Sequence, residues 1–361
     1  MQRSWILTGI VVFGLAVTGL AAQRGGAGGR GGGSRIPPTG AIQHIKDNLY
    51  KIGGAGGNTT VFITDEGVVL VDTKLANNGE AILKQVQTVT DKPVTMIINT
   101  HSHPDHNGSN DFFKAARPSI EVVAHENTKK LVTANPQSKP AMVPDKTFSK
   151  TMTLGKGKDR IDLYYFGAGH TSGDAFVVFP AVRAMCIGDL MAWNMAPLID
   201  PAAGGSIVAL PDTLEKAAKG IKNVDQVIEG HGNVNTWQGM VAYTQFMRAL
   251  LNEAKSGLKR GIPTDQALAE LQKNPKFAVF LGDELLKDLE YGDTPKHRAL
   301  INLNVAYQEL RGEPVTTYFG PPQPIGAEKG SGPPPRGRGP GAGPARGAAP
   351  EPGTAGPARG R

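Results

Sequence analysis

Four side chains able to bind a metal stand within six residues in His101-Ser102-His103-Pro104-Asp105-His106. Neutral imidazole nitrogen and carboxylate oxygen both suit zinc or iron, so closely spaced groups of these types can converge on a cation pair. His101 and His103 are two residues apart, and a locally extended backbone sends both to the same side. Pro104 lets the chain turn and present Asp105 and His106 to a neighbouring cation. Two metals need more ligands than this, and three further segments supply them: Gly169-His170-Thr171-Ser172-Gly173-Asp174, Gly188-Asp189 and Gly230-His231-Gly232. Five of the eight histidines fall in these four segments, which a chance scatter would rarely produce.

Each of these segments needs an element to hold it. Val94 to Asn99 reads as a buried strand after Pro93 and delivers the His-rich run at its end. Ile161 to Phe166 precedes His170, Ala184 to Ile187 precedes Asp189, and Gln226 to Ile228 precedes His231. The recurrent step, a strand ending in a loop rich in His, Asp and Gly, is how α/β folds place chemistry at strand ends. Upstream, Thr59 to Thr64 and Val68 to Val71 flank Asp65-Glu66-Gly67 as a hairpin. Ala76 to Thr90 then switches to helical spacing through Ile82, Val86 and Val89. Glu121 to Ala124 and Ala175 to Phe179 read as further strands, and Asp111 to Ala116 and Thr213 to Gly220 as helices. Beyond Trp237 the texture is helical, at Ala242 to Gly257, Asp265 to Gln272 capped by Thr264, Ala278 to Leu289 and His297 to Gly312.

The run H-x-H-x-D-H with a later His, Asp and His in order resembles the metallo-β-lactamase superfamily, over roughly residues 45–235. The resemblance implies a four-layer αββα sandwich with the late helices as a C-terminal extension. It implies that His101, His103 and His170 bind one divalent metal, that Asp105, His106 and His231 bind a second, and that Asp189 bridges both. Zinc is the foremost expectation, and the ligand set also accepts iron or manganese. A hydroxide between the metals would attack, its parent water acidified toward a pKa of about 7, and Asp105 would be ligand and proton shuttle at once. Asp72 ends a buried strand where the family carries a carboxylate that orients the His-rich loop.

The same resemblance narrows the reaction. Zinc β-lactamases commonly carry Cys or Ser where this chain has Asp189, whereas hydrolases similar to glyoxalase II carry Asp. Leu190-Met191-Ala192-Trp193 follows with no Lys to grip a β-lactam carboxylate. The helical segment is not obviously rich in the cations that would hold glutathione, and His103 stands where a flavodiiron centre would carry Glu. The expected activity is therefore hydrolysis of a small-molecule ester, thioester, lactone or amide-type bond. The alternatives are β-lactam hydrolysis and an iron persulfide dioxygenase. Trp193 is placed to line a cleft or pack in the core. Cys186, on an apolar strand, reads as a small buried side chain, and His44, His125 and His297 lack partner motifs.

The chain of 361 residues carries a formal charge of +7, but the excess sits at its ends. Between residues 41 and 320 there are 29 Lys and Arg against 30 Asp and Glu, which gives no electrostatic footprint for nucleic acid. The ends are also where Gly and Pro concentrate. Residues 1–22 have the layout of a secretory signal, with Arg3, an apolar run from Trp5 to Val17, and small residues Gly19, Ala21 and Ala22. That layout predicts export to the periplasm or beyond, with no membrane span left after cleavage. Residues 23–40 read as a Gly-rich linker, 41–240 as the catalytic domain, 241–319 as the helical extension and 320–361 as a disordered Pro/Gly/Arg-rich tail. Cys186 is the only cysteine, which excludes an internal disulfide framework.

Overall fold

Strand order alone separates the described chain into two sheets, the second beginning in sequence where the first ends. The computed structural model describes residues 37–283 and 294–315. The predicted signal, most of the linker, the predicted tail and the end of the helix expected at Ala278 to Leu289 lie outside these residues. The first sheet takes its seven strands in chain order: β1 (Ile42–Lys46), β2 (Leu49–Ile52), β3 (Thr59–Ile63), β4 (Val68–Val71), β5 (Val94–Ile98), β6 (Glu121–His125) and β7 (Lys146–Phe148). The first four form an antiparallel meander, and β4 to β7 run parallel. The second sheet reads β13-β12-β11-β10-β9-β8. Its strands are β8 (Thr151–Leu154), β9 (Ile161–Tyr164), β10 (Phe176–Phe179), β11 (Ala184–Gly188), β12 (Gln226–Glu229) and β13 (Val234–Thr236). Only β11 and β12 run parallel in it.

Strand period explains the layering. In β4, Val69 and Val71 point into the core between the sheets, while Val68 and Leu70 point to the outer face. There they meet Ile82 and Val86 of α1 (Gly79–Gln87). The short α2 (Pro104–Asn107) is followed by α3 (Asn110–Ala116), whose Phe113 joins the same outer core, and by α4 (Glu126–Ala134). In the second sheet, Val177, Phe179, Cys186 and Ile228 face inward, and Phe176, Met185, Ile187 and Val227 face outward. The outward set packs on α5 (Leu210–Gly220), α6 (Trp237–Arg260), α7 (Thr264–Gln272) and α8 (Pro295–Leu310). The result is the helix-sheet-sheet-helix sandwich expected from the sequence, with the late helices sharing one core with the second sheet.

Two local expectations change. Thr264 does not cap α7. It is the first residue inside that helix, and its hydroxyl donates to Asn304 Oδ1 of α8 at 2.8 Å. The helix expected from Ala278 begins instead as a 3-10 segment at Pro275–Phe280, entered through Asn274, whose side chain accepts from Lys276 N.

Candidate metal centre

The four ligand segments leave the ends of strands and meet at one edge of the sandwich. β5 delivers His101 to His106, β11 delivers Asp189, β12 delivers His231, and the β9–β10 loop delivers His170. Three trios of ligand atoms lie mutually within 4.8 Å: His101, His103 and His170; His101, His106 and Asp189; Asp105, His106 and His231. The first and last are the two expected ligand sets. Asp189 stands between them, 3.2 Å from His106, 3.4 Å from His231 and 3.8 Å from His170. All seven predicted residues are thus brought together, and His44, His125 and His297 are in none of the three trios.

Orientation is set from behind. Asp72 accepts from Thr100 N at 2.8 Å and from the Thr100 hydroxyl at 2.7 Å, and its Oδ2 lies 2.8 Å from His106 Nδ1. His106 Nε2 is therefore left to face the cluster, as a carboxylate behind a ligating imidazole requires. His103 is turned by a residue that the sequence did not single out. Asp200 Oδ2 lies 2.9 Å from His103 Nε2 and leaves Nδ1 toward the centre, while Asp200 Oδ1 accepts from Ala202 N and Ala203 N. Nothing in the spacing marks Asp200, 97 residues from its partner. Trp193 has φ +51 and stacks on His231 at 4.3 Å, so it lines the cleft rather than the core. Arg298, from α8, also lines the cleft and was not singled out either.

Glycine lets the parts approach. A Cβ on Gly57 would lie 2.3 Å from the His106 ring, and one on Gly230 would lie 1.9 Å from Asp189 Oδ1. The loop bearing Gly57 is tied down by Lys74, whose ammonium donates to the carbonyls of Ile52, Gly54 and Gly57 at 2.8 Å each.

The donor set fits divalent cations on the protein's own geometry. His101 Nε2 is buried with no hydrogen-bond partner among the described residues, a costly state unless something else satisfies it. Ring nitrogens confront one another, His103 Nδ1 and His170 Nε2 at 2.8 Å and His106 Nε2 and His231 Nε2 at 3.2 Å. The metal-free electrostatics point the same way. Burial and the neighbouring imidazoles hold His101 well below its ordinary range, and burial with His103 lowers His170 to about 4. Burial disfavours charge on His106 and His231 too, but Asp189 and Asp105 override it and raise both, His231 to about 9. Burial would raise the Asp189 and Asp105 carboxyls, yet His106 and His231 hold both below the usual range. The carboxylates thus favour an extra proton on His106 and His231, which divalent binding must displace, while His101 and His170 are held neutral and ready to ligate.

A layered sandwich with one all-His trio and one His/Asp trio at its edge defines a class of metal-binding proteins. The family model of the metallo-beta-lactamase superfamily matches residues 52–231, and the chain belongs to that superfamily. It is 26% identical to a type 2 metallo-beta-lactamase of Elizabethkingia meningoseptica over 254 residues, 67% of this chain and 91% of that protein. Its identity to one from Bacteroides fragilis is 25% over 205 residues, covering 54% and 79% of the two chains. Among solved structures, a metallo-beta-lactamase from Pontibacter korlensis superposes with TM-score 0.50 at 21% identity, over 57% of this chain and 98% of that one. A stereoselective inverting sec-alkylsulfatase from Pseudomonas sp. gives TM-score 0.59 at 16% identity over 75% of this chain. The chain spans half the length of that sulfatase. The protein is an enzyme of the metal-dependent hydrolase kind that this fold carries.

Proposed function

We propose that the protein is an exported hydrolase that uses two divalent ions, zinc foremost, to cleave an ester, thioester, lactone or amide-type bond of a small molecule. The carrying observation is the pair of ligand trios, His101/His103/His170 and Asp105/His106/His231, with Asp189 between them. Bound there, two such ions supply Lewis-acid polarisation of a carbonyl and a water acidic enough to react near neutral pH.

The chain's own groups do the rest. Asp105 lies at the cleft with Oδ2 3.1 Å from His231 Nε2. Its carboxylate takes the proton of the attacking water and returns it to the leaving oxygen, nitrogen or sulfur as the bond to the carbonyl carbon breaks. Asp72 and Asp200 hold His106 and His103 in their tautomers and orientations. Trp193, Pro197 and Leu198 give the cleft, about 260 Å³, an apolar wall suited to a small substrate.

Two equivalents of zinc per chain should be retained on reconstitution, by elemental analysis. A panel of thioesters, aryl esters, lactones and β-lactams should then show one class preferred about a hundredfold in kcat/KM, with a non-lactam class ahead. β-Lactam hydrolysis is the second reading, favoured by the names of the similar proteins, and nitrocefin outpacing every ester would establish it. Dioxygen uptake with a persulfide by an iron-loaded sample would overturn hydrolysis itself. Export rests on the layout of residues 1–22, and a reporter fused after Ala22 that stays in the cytoplasm would refute it.

A further inference from the structure

The turn that carries Trp193 into the cleft is one that a tryptophan does not favour. Met195 N donates to Ala192 O at 3.0 Å across Trp193 and Asn194, whose φ values are +51 and +55. Two positive φ values at the centre of a β-turn define type I′, which suits Asn, Asp and Gly. Asn194 meets that preference and Trp193 does not, since a bulky side chain is costly in the left-handed region and stays there only where its surroundings hold it. The conformation stacks the indole on the His231 ring at 4.3 Å, with its centre 5.8 Å from the Arg298 guanidinium carbon. It also brings the indole so close to Gly232 that a Cβ there would lie 2.9 Å from Trp193 Cδ1.

The holding group is Glu229, which ends β12 and is 3% exposed. Its Oε2 accepts from Asn194 N at 2.9 Å. Its Oε1 accepts at 3.0 Å from Asn235 Nδ2, which also donates to Asn194 Oδ1 at 3.2 Å. Both carboxylate oxygens thus lead to the turn, from behind the cleft lining. A second neighbour competes for the credit: Lys51, buried on β2, donates to Gly232 O at 2.7 Å and interacts electrostatically with Glu229. The rest of the apolar wall is anchored elsewhere, since the Pro197 carbonyl accepts from Asn302 Nδ2 of α8 at 2.7 Å.

Anchoring a turn needs an acceptor at the right reach, whereas balancing a buried ammonium needs only a negative charge nearby. We propose that Glu229 is a positioning residue: its side chain reaches the Asn194 amide and, through the turn from Ala192 to Met195, sets the Trp193 indole against His231 as a wall of the cleft. This rests on the hydrolase reading and names what shapes the substrate side of that site. Reach and charge separate in two substitutions. Glu229→Asp keeps the charge beside Lys51 but is one methylene too short for Asn194 N, and Glu229→Gln keeps the reach and an acceptor oxygen without the charge.

The test uses the zinc-loaded protein and a neutral, uncleavable aryl alkyl ether, titrated by calorimetry. Trp193→Ala should weaken its binding about tenfold, and Glu229→Asp should do nearly the same. Combined, the two should lose no more than about twofold beyond Trp193→Ala alone, because both remove one wall. Glu229→Gln should bind within about threefold of wild type. The near-ultraviolet circular dichroism of Trp193, taken as the difference from a Trp193→Phe version of each protein, should vanish in the Asp variant and persist in the Gln variant. Both should retain two equivalents of zinc. The proposal is overturned if the Asp variant binds as wild type does, if Gln is the weaker of the two, which is the order that charge balance with Lys51 requires, or if the combined losses multiply. Loss of zinc from the Asp variant would also overturn it, since Glu229 would then serve the His231 loop and not the wall. Should the Asp variant not fold, the Gln variant decides alone: retained binding and dichroism uphold the proposal, and their loss sinks it. The ether is not cleaved, so failure of the matching aryl ester to turn over would sink the hydrolase reading while leaving the answer on Glu229 intact.

Discussion

Gly57 and Gly230 leave no room for a methyl group, and each abuts a different metal ligand. Gly57→Ala should push the His106 ring out of line and weaken retention of one of two zinc ions about tenfold or more, measured by competition with a chromogenic chelator. Asp72→Asn should act on the same ion without changing volume, because it replaces an acceptor facing His106 Nδ1 with an amide. Another buried carboxyl reports on pH. Burial pushes Asp174 up to about 7 from an ordinary 3.8, against the two hydrogen bonds that it accepts from Thr171. Between these values the folded metal-free protein keeps a proton that the unfolded chain has lost. The contribution is thus full below the ordinary value and is lost as pH rises to about 7. Asp174→Asn should therefore gain stability relative to wild type between about pH 4 and about pH 8, read by urea unfolding of metal-free samples. A constant difference across that range would refute it. The seven clustered residues were legible because each sits in a short motif of diagnostic residue types. Asp200 and Arg298 were not, because an acid or an arginine far along the chain acquires its role only when the fold brings it beside His103 or Trp193.

At the scale of elements, α8 does more than cover the second sheet. Glu309 near its C-terminal end accepts from the Ser206 hydroxyl and, at 3.0 Å, from Ile207 N, just before α5 begins. Together with the Asn302 bond to Pro197, this clamps the segment that carries Leu198 and Asp200 into the cleft. Glu309→Ala leaves those donors without their acceptor and should cost about 1–3 kcal/mol in urea unfolding. It should also raise KM and lower kcat together, because the segment that moves carries both the cleft wall and Asp200, which holds His103. The strands that spacing found, such as β4 and β11, are buried on both faces and read as continuous apolar runs. β1, at the edge of its sheet, carries Gln43-His44 and presents no run or clean alternation to read, while β8, also at an edge, alternates Thr with Met and Leu over only four residues, too few to stand out.

At the scale of the whole molecule, the two sheets divide the ligands. Loops of the first sheet supply His101, His103, Asp105 and His106, and loops of the second supply His170, Asp189 and His231. Divalent ions bound by these residues would therefore tie the sheets together across their shared core. Removing them should lower Tm by several degrees, and restoring zinc should recover it in proportion to the logarithm of free zinc. A melting temperature indifferent to chelation would mean that the cations contribute nothing to holding the halves together. This division has a use in engineering. A cut between Phe148 and Thr151 falls after the last strand of one sheet and before the first of the other. Each fragment then bears an incomplete ligand set and one apolar face, Leu49, Phe62 and Ile98 on one and Leu163, Val177 and Ile228 on the other. Co-expressed, the fragments should reassemble through those faces, and zinc should tighten the pair, as fluorescence transfer between labelled halves would report. The chain thereby lends itself to use as a split, metal-gated sensor in which proximity of two fused partners is read out as a completed metal centre.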